Sequence, residues 1–427
     1  MGIAAKCLET PIITSVEIRP SQVSSCVAEL GHFLRRYTRH LGREELREDA
    51  KLYIQGRVSD LDRKTAEPIA RFYGVNRFRI QEFVGKRPWD DEALREELHR
   101  SVVEELGDPD GVLVLDPSGF QKKGTESVGV KRQWCGRLGK VENCQLGVFV
   151  GYAGLGSATL VEADLYLPRE WAWNPNRRRK GHVPPDVRFR TTARIAEEQV
   201  RILSPRFPHA WVVGDDELGR AAWFRRRLRR RGERYVLEVP ANTRIRPLEG
   251  RLPKGCRKQA FRQALEWAKA RPDSAWARVR VANGEKGPLD VDAISIPVQA
   301  KLRTRVGPRE RLLVTCDVGA TPEWKCWLSN ADDSVSIETL VRVAEQRHRI
   351  EECFERAKGE VGLAHYEVRS WVGWHHHMTM SLLALWYLTR HQRRLGEKNT
   401  RHDGAALCRD DRADAPSGPP IRALGGA

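Results

Sequence analysis

Two short apolar runs that each stop at an aspartate constrain this chain most. Gly111-Val-Leu-Val-Leu-Asp116 and Ala210-Trp-Val-Val-Gly-Asp215 show no alternation of polar and apolar residues. That is the pattern of strands covered on both faces. Such strands need helices above and below them, so the chain is expected to be α/β around a central sheet. Two further strand candidates, Cys144 to Tyr152 and Ala158 to Tyr166, follow the first run before a helix at Thr192 to Leu203. A basic helix, Ala221 to Arg231, and a strand, Arg234 to Val239, follow the second.

That order of strands and helices resembles a ribonuclease-H-like core. Before it, residues 1–108 read as an α-helical N-terminal domain, with a capped helix from Asp62 to Gly74 and a helix opened by Pro88 and acidic first-turn residues. Arg63, Lys64, Arg77 and Arg79 in this domain are candidates to meet DNA phosphates. The core is expected over 109–240 and 333–392, interrupted at 241–332 by a mostly β insertion of short strand-like runs and turns such as Asn283-Gly284. Residues 393–427 turn polar and then Gly-, Ala- and Pro-rich, which suits a disordered tail.

The 427 residues carry 74 basic and 57 acidic side chains, a net charge of +17 that points to a polyanionic partner, nucleic acid first. Nine cysteines with no CxxC pair argue against a zinc ribbon or a disulfide framework and for a reducing compartment. No signal peptide is evident, and the longest apolar run, Met378 to Leu388, is too short for a bilayer. A cytoplasmic, nucleoid-associated protein without a membrane partner is the expectation.

Arg347-His-Arg-Ile-Glu-Glu-Cys-Phe-Glu-Arg-Ala-Lys358 reads as an amphipathic helix, with Ile350, Phe354 and Ala357 on the apolar side. Arg347, Glu351 and Lys358 fall close to one face, one carboxylate between two cations. Asp116, Asp215 and Glu351 are well placed to converge at neighbouring strand ends. Three carboxylates suit hard divalent cations that keep open positions for water and phosphate. Two such ions, Mg²⁺ or Mn²⁺, can activate a water or a 3′ hydroxyl and stabilise the leaving oxygen of an in-line phosphoryl transfer.

Leu115-Asp-Pro-Ser-Gly-Phe-Gln-Lys-Lys-Gly-Thr-Glu-Ser-Val-Gly-Val130 and Gly139-Lys-Val-Glu-Asn-Cys-Gln-Leu-Gly-Val-Phe149 resemble the first-aspartate region of bacterial insertion-sequence transposases of the DDE superfamily. Leu165-Tyr-Leu-Pro-Arg-Glu-Trp171, Val187-Arg-Phe-Arg-Thr191 and the segment before Asp215 resemble the same group. Arg347-x3-Glu351-x6-Lys358 is similar to its Y-x2-R-x3-E-x6-K signature, with Ala344 where the tyrosine would stand. The resemblance implies a DNA transposase with Asp116, Asp215 and Glu351 as metal-binding triad and Arg347 and Lys358 on the DNA backbone. It implies hydrolysis at transposon ends, strand transfer into target DNA, and a homodimer on paired terminal inverted repeats. A catalytically inactive DNA-binding protein and a nuclease without strand transfer are the alternatives.

Arg225-Arg-Arg-Leu-Arg-Arg-Arg231 and Arg177-Arg-Arg-Lys180 are the densest basic runs. Arg225, Arg226, Arg229 and Arg230, with Lys122 and Lys123, are counted among the DNA contacts. Trp324 and Trp327 are expected in the core rather than stacked on a base. His375, His376 and His377, pointing about 100° apart on a helix, do not suit one metal ion.

Overall fold

The computed structural model describes residues 20–249, 259–284, 287–303, 305–318 and 322–395. The expected tail lies almost wholly outside them. Five helices come first: α1 (Pro20–Thr38), α2 (Glu44–Val58), α3 (Ala66–Phe72), α4 (Arg77–Gly85) and α5 (Asp91–Leu106). Asn76 and Asp90 start α4 and α5 by accepting the amides of Phe78 and Ala93. Strands β1 (Val112–Gln121), β2 (Lys131–Cys135), β3 (Lys140–Gly154) and β4 (Ser157–Leu165) follow, then α6 (Arg169–Ala172), α7 (Pro175–Lys180) and α8 (Thr192–Leu203). Next come β5 (Trp211–Gly214), α9 (Asp216–Gly219), α10 (Ala222–Arg230) and β6 (Tyr235–Val239). The insertion holds β7 (Arg244–Pro247), β8 (Arg262–Gln263), α11 (Ala264–Lys269), β9 (Ala277–Gly284), β10 (Gly287–Leu302), β11 (Arg305–Asp317) and β12 (Trp324–Ser329). Helices α12 (Ile337–Gly359) and α13 (Trp371–Leu395) complete the described chain.

The first core strand, β1, has an antiparallel partner, β3, on one edge and a parallel partner, β5, on the other. β4 lies antiparallel on β3, and β6 continues parallel beyond β5. This is the ribonuclease-H-like arrangement. The insertion does not stand apart from it: β12 pairs antiparallel with β6, and β11, β10, β7 and β8 extend the same sheet outward. A separate apolar cluster that includes Ile245, Trp267, Leu312 and Leu328 stabilises that extension.

The N-terminal helices share the main apolar core with the sheet, because α13 packs on α2, α4 and α5 as well as on β4. The three histidines of α13 are spent here, each on a different neighbour. His375 meets the Trp371 carbonyl, His376 lies over Trp89 and bonds the Val84 carbonyl, and His377 bonds Tyr53 at 2.8 Å and the carbonyl of Leu363.

One expectation about β1 needs correction. Asp116 does not end the strand, which runs on through Pro117 to Gln121 against β3. What ends there is the pairing with β5, whose last matched residues are Leu115 and Gly214. A proline is tolerated where a strand has lost one neighbour, because the missing N–H has less to bond.

Candidate active site

The register of β1 and β5 sets the first two acids. Leu115 pairs with Gly214, so Asp116 and Asp215 each stand one residue beyond the last matched pair of two adjacent parallel strands. Asp215 also caps α9, its side chain accepting the Leu218 amide at 3.0 Å, which fixes its direction. Its neighbour Asp216 is instead paired with Arg220 at 2.5 Å.

The third acid arrives on α12, whose buried face carries Ile350, Phe354 and Ala357. The helix sits deep on the sheet because β3 has a glycine beneath it: a Cβ at Gly151 would lie 1.6 Å from Ile350 Cδ1. Arg347, one turn before Glu351, ties the site together. Its Nη2 lies 3.6 Å from Glu351 and 3.9 Å from Asp116, and its Nη1 is bonded to Glu238 on β6. Lys358, at the other end, donates to Ser118 Oγ at 3.1 Å, two residues past Asp116 on the same strand face.

These placements strain the acids electrostatically. Burial pushes Asp116 up to about 7, with Arg347 pulling it down and Glu351 pushing it further up. Burial and the charge of Asp116 push Asp215 up to about 8. Glu351, half-exposed, is held below the usual carboxylate range first by the His348 imidazole 3.6 Å away and then by Arg347, against the effect of burial. Arg347 Nε is buried without a hydrogen-bond partner. Among the described residues no three acidic, histidine or cysteine side chains stand close enough together to hold a metal ion. With an arginine seated among the acids, Asp116 and Glu351 meet the guanidinium rather than a common point. The donor set itself is all carboxylate oxygen, which suits a hard divalent cation, and two crowded, reluctantly ionised aspartates would gain from one.

The basic residues divide. Arg225 is not a surface cation: it is buried, bonded to Glu310 at 2.8 Å and to the Gly219 carbonyl, because α10 turns Phe224, Arg225 and Leu228 inward. Arg226 and Arg230 are exposed, and Arg229 donates to the Arg309 carbonyl at 2.9 Å. Lys122 lies 3.3 Å from the centre of the Tyr366 ring, where burial lowers its pKa to about 7, while Lys123 is exposed. Lys64 is a second correction: its ammonium is buried against the carbonyls of Arg57, Ser59 and Glu360. Arg63, Arg77 and Arg79 pair with Glu367, Glu67 and Asp49. Trp327 is buried in the main core, and Trp324 packs against Trp276 and the insertion's own cluster. Ala344 is buried in the main core.

Sequence reasoning missed Glu238. Its signal was there, a lone acid in the otherwise apolar strand Tyr235-Val-Leu-Glu-Val239. It also missed His348, which lies 3.6 Å from Glu351 and 3.7 Å from Glu352.

A family model described as DDE superfamily endonuclease matches residues 36–288, more than half of the chain. The matched span contains Asp116, Asp215 and Glu238 and stops short of Glu351. The probable transposase for insertion sequence element IS701 from Microchaete diplosiphon is 35% identical over 116 residues, 27% of this chain and 30% of that relative. The chain therefore matches under a third of the length of that curated relative. Among the described residues no helix is long and apolar enough to cross a membrane. A sheet that sets two aspartates side by side and a match over most of its strands lead to one conclusion: the chain belongs to the DDE superfamily endonucleases.

Proposed function

We propose that the protein is a DNA transposase that cuts at the terminal inverted repeats of an insertion sequence and joins the freed ends to target DNA, working as a homodimer on paired ends. The observation that carries the reading is the register of β1 and β5, which sets Asp116 beside Asp215, with Arg347 reaching from Asp116 to Glu351. The net charge of +17 supports a polyanionic substrate. The IS701 relative's description supports the transposase reading over a general nuclease.

In this reading Asp116, Asp215 and Glu351 would hold divalent ions, Mg²⁺ or Mn²⁺, which supply Lewis-acid activation of water and charge stabilisation at the leaving oxygen. The chain's own groups do the positioning. Asp215 is fixed by its cap on α9, and Glu351 by Arg347 and His348. Arg347, expected on the DNA backbone, is instead bonded to Glu238 and close to Asp116 and Glu351, so in this reading it holds and balances the acids rather than meeting a phosphate. Lys358, anchored at Ser118, is near enough to lower the pKa of Asp116 and brings positive charge to the strand where a backbone phosphate would lie. Cleavage forms a bond from a water oxygen to phosphorus and breaks the bond to the 3′ oxygen, which leaves as a hydroxyl with a proton from the water. Joining then uses that 3′ hydroxyl as nucleophile on a target phosphate and releases a target 3′ hydroxyl.

The test is incubation of purified protein with a plasmid carrying the DNA that flanks the gene, with Mg²⁺ or Mn²⁺. Joined products are expected. Cleavage without joining would favour a plain nuclease, and binding without cleavage an inactive DNA-binding protein.

A further inference from the structure

Among the described residues, the two most exposed large apolar side chains are both tryptophans, Trp173 at 67% and Trp134 at 61%. Trp134 is on β2, where its cross-strand partner on β3 is Val141, itself 51% exposed, and Leu138 stands at the turn between them. An aromatic ring beside two exposed aliphatic side chains makes a flat apolar surface that a soluble protein does not usually leave open without use.

The hairpin is not a stray arm. Cys135 is buried, and its sulfur would lie 2.8 Å from a Cβ on Gly119, so the hairpin rests on β1. Gly119 is three residues beyond Asp116, or about 10 Å along an extended strand. Gly139 closes the turn at a φ of 59°, a conformation that favours glycine. Lys131 then joins the hairpin to α6 through Glu170 at 2.5 Å. At the end of that helix Trp173 lies under the guanidinium of Arg169, 5.2 Å from its ring.

Charge decides what such a surface would meet. Residues 131–142 contain four basic side chains and one acid; Lys140 lies 3.5 Å from that acid, Glu142, and Lys131 is held by Glu170, while Arg132 is exposed. The hairpin keeps a net positive charge, which disfavours a second copy of the same surface, whereas an aromatic face with excess positive charge beside it fits a base whose phosphates lie alongside. We propose that the β2–β3 hairpin is a base-stacking platform, with Trp134 receiving an unpaired base of the DNA held at Asp116. This rests on the DNA-cleaving reading above.

The experiment uses the full chain in Ca²⁺ and two fluorescein-labelled DNAs, a blunt duplex and the same duplex with an unpaired 3′ extension, with affinity read by anisotropy. Wild type should prefer the extended DNA. Trp134→Ala should bind the extended DNA about tenfold more weakly and the blunt one as wild type does. Trp134→Phe should keep the preference. Equal binding of both DNAs by wild type and Trp134→Ala would overturn the platform and leave the DNA-cleaving reading standing. Loss of self-association in sedimentation, with DNA binding untouched, would also overturn it and make the patch a contact between copies. If wild type bound neither DNA, the proposed function would fall first and the platform with it.

Discussion

Arg347 on α12 is bonded to Glu238 on β6, and through that pair the helix carrying Glu351 is tied to the far side of the parallel strands. Both side chains are largely buried, 22% and 19% exposed. Removing one partner of such a pair leaves the other charge poorly compensated. Glu238→Gln should therefore lower the stability of the metal-free protein by roughly 1 to 3 kcal/mol, read from urea midpoints. Glu351→Gln, at a carboxylate 51% exposed, should stay within about 1 kcal/mol of wild type. Equal losses would mean that Glu238 has no special part in seating the helix.

Gly151 sets the depth of α12, since a Cβ there would meet Ile350 at 1.6 Å. Gly151→Ala should push the helix off the sheet, lower stability by about 1 to 3 kcal/mol and reduce DNA cleavage more than DNA binding. Adding Ile350→Val removes the overlapping methyl and should restore part of both. Cleavage as poor in the double variant as in Gly151→Ala would contradict this coupling.

Much of the fold was legible in the sequence because buried strands announce themselves. The runs before Asp116 and Asp215 and the apolar spacing around Glu351 gave the sheet and its helix. Two kinds of feature were not legible. Strand pairing across the insertion depends on β12 finding β6, a contact between distant segments that no local pattern encodes. Burial of single cations was hidden as well: within Arg225-Arg-Arg-Leu-Arg-Arg230 every arginine looks alike, yet only the helix phase turns Arg225 toward Glu310.

That division predicts opposite results within one basic run. Arg225→Ala strands the buried Glu310, which Tyr235 also bonds at 2.6 Å, and should cost about 3 to 5 kcal/mol of stability. Arg226→Ala and Arg230→Ala should leave stability within about 0.5 kcal/mol. They should flatten the dependence of DNA affinity on salt, each phosphate contact contributing a slope of about 0.9 on a log-log plot. An unchanged slope would return these two residues to solvated surface.

Far from the acids, His209 and Glu233 form a pair at 2.9 Å, with Ser204 donating to the same carboxylate at 2.5 Å. Burial of the His209 ring opposes its charge, but the bonds to Glu233 and to the Phe207 carbonyl outweigh it and raise its pKa. Stability from this group is then full below about pH 6.5 and lost as pH rises through the folded pKa. Glu233 has a lowered pKa, so its contribution is lost only on acidification. His209→Asn should cost on the order of 1 kcal/mol near pH 6 and clearly less near pH 9, by urea midpoints. A cost independent of pH would mean that the imidazolium does not stabilise the fold.

Glu351, not Glu352, is the residue proposed to complete the acidic set with Asp116 and Asp215. The most direct measurement is Mg²⁺- or Mn²⁺-dependent release of a labelled DNA end by purified protein, with binding followed separately by gel shift in Ca²⁺. Glu351→Gln keeps the side chain's shape and removes its charge, so cleavage should fall roughly a hundredfold or more while binding stays near wild type. Glu352 is 59% exposed and lies 3.7 Å from His348. Glu352→Gln should cleave like wild type. Loss of cleavage in Glu352→Gln with activity kept in Glu351→Gln would contradict the account and remove the roles given to Arg347 and Lys358.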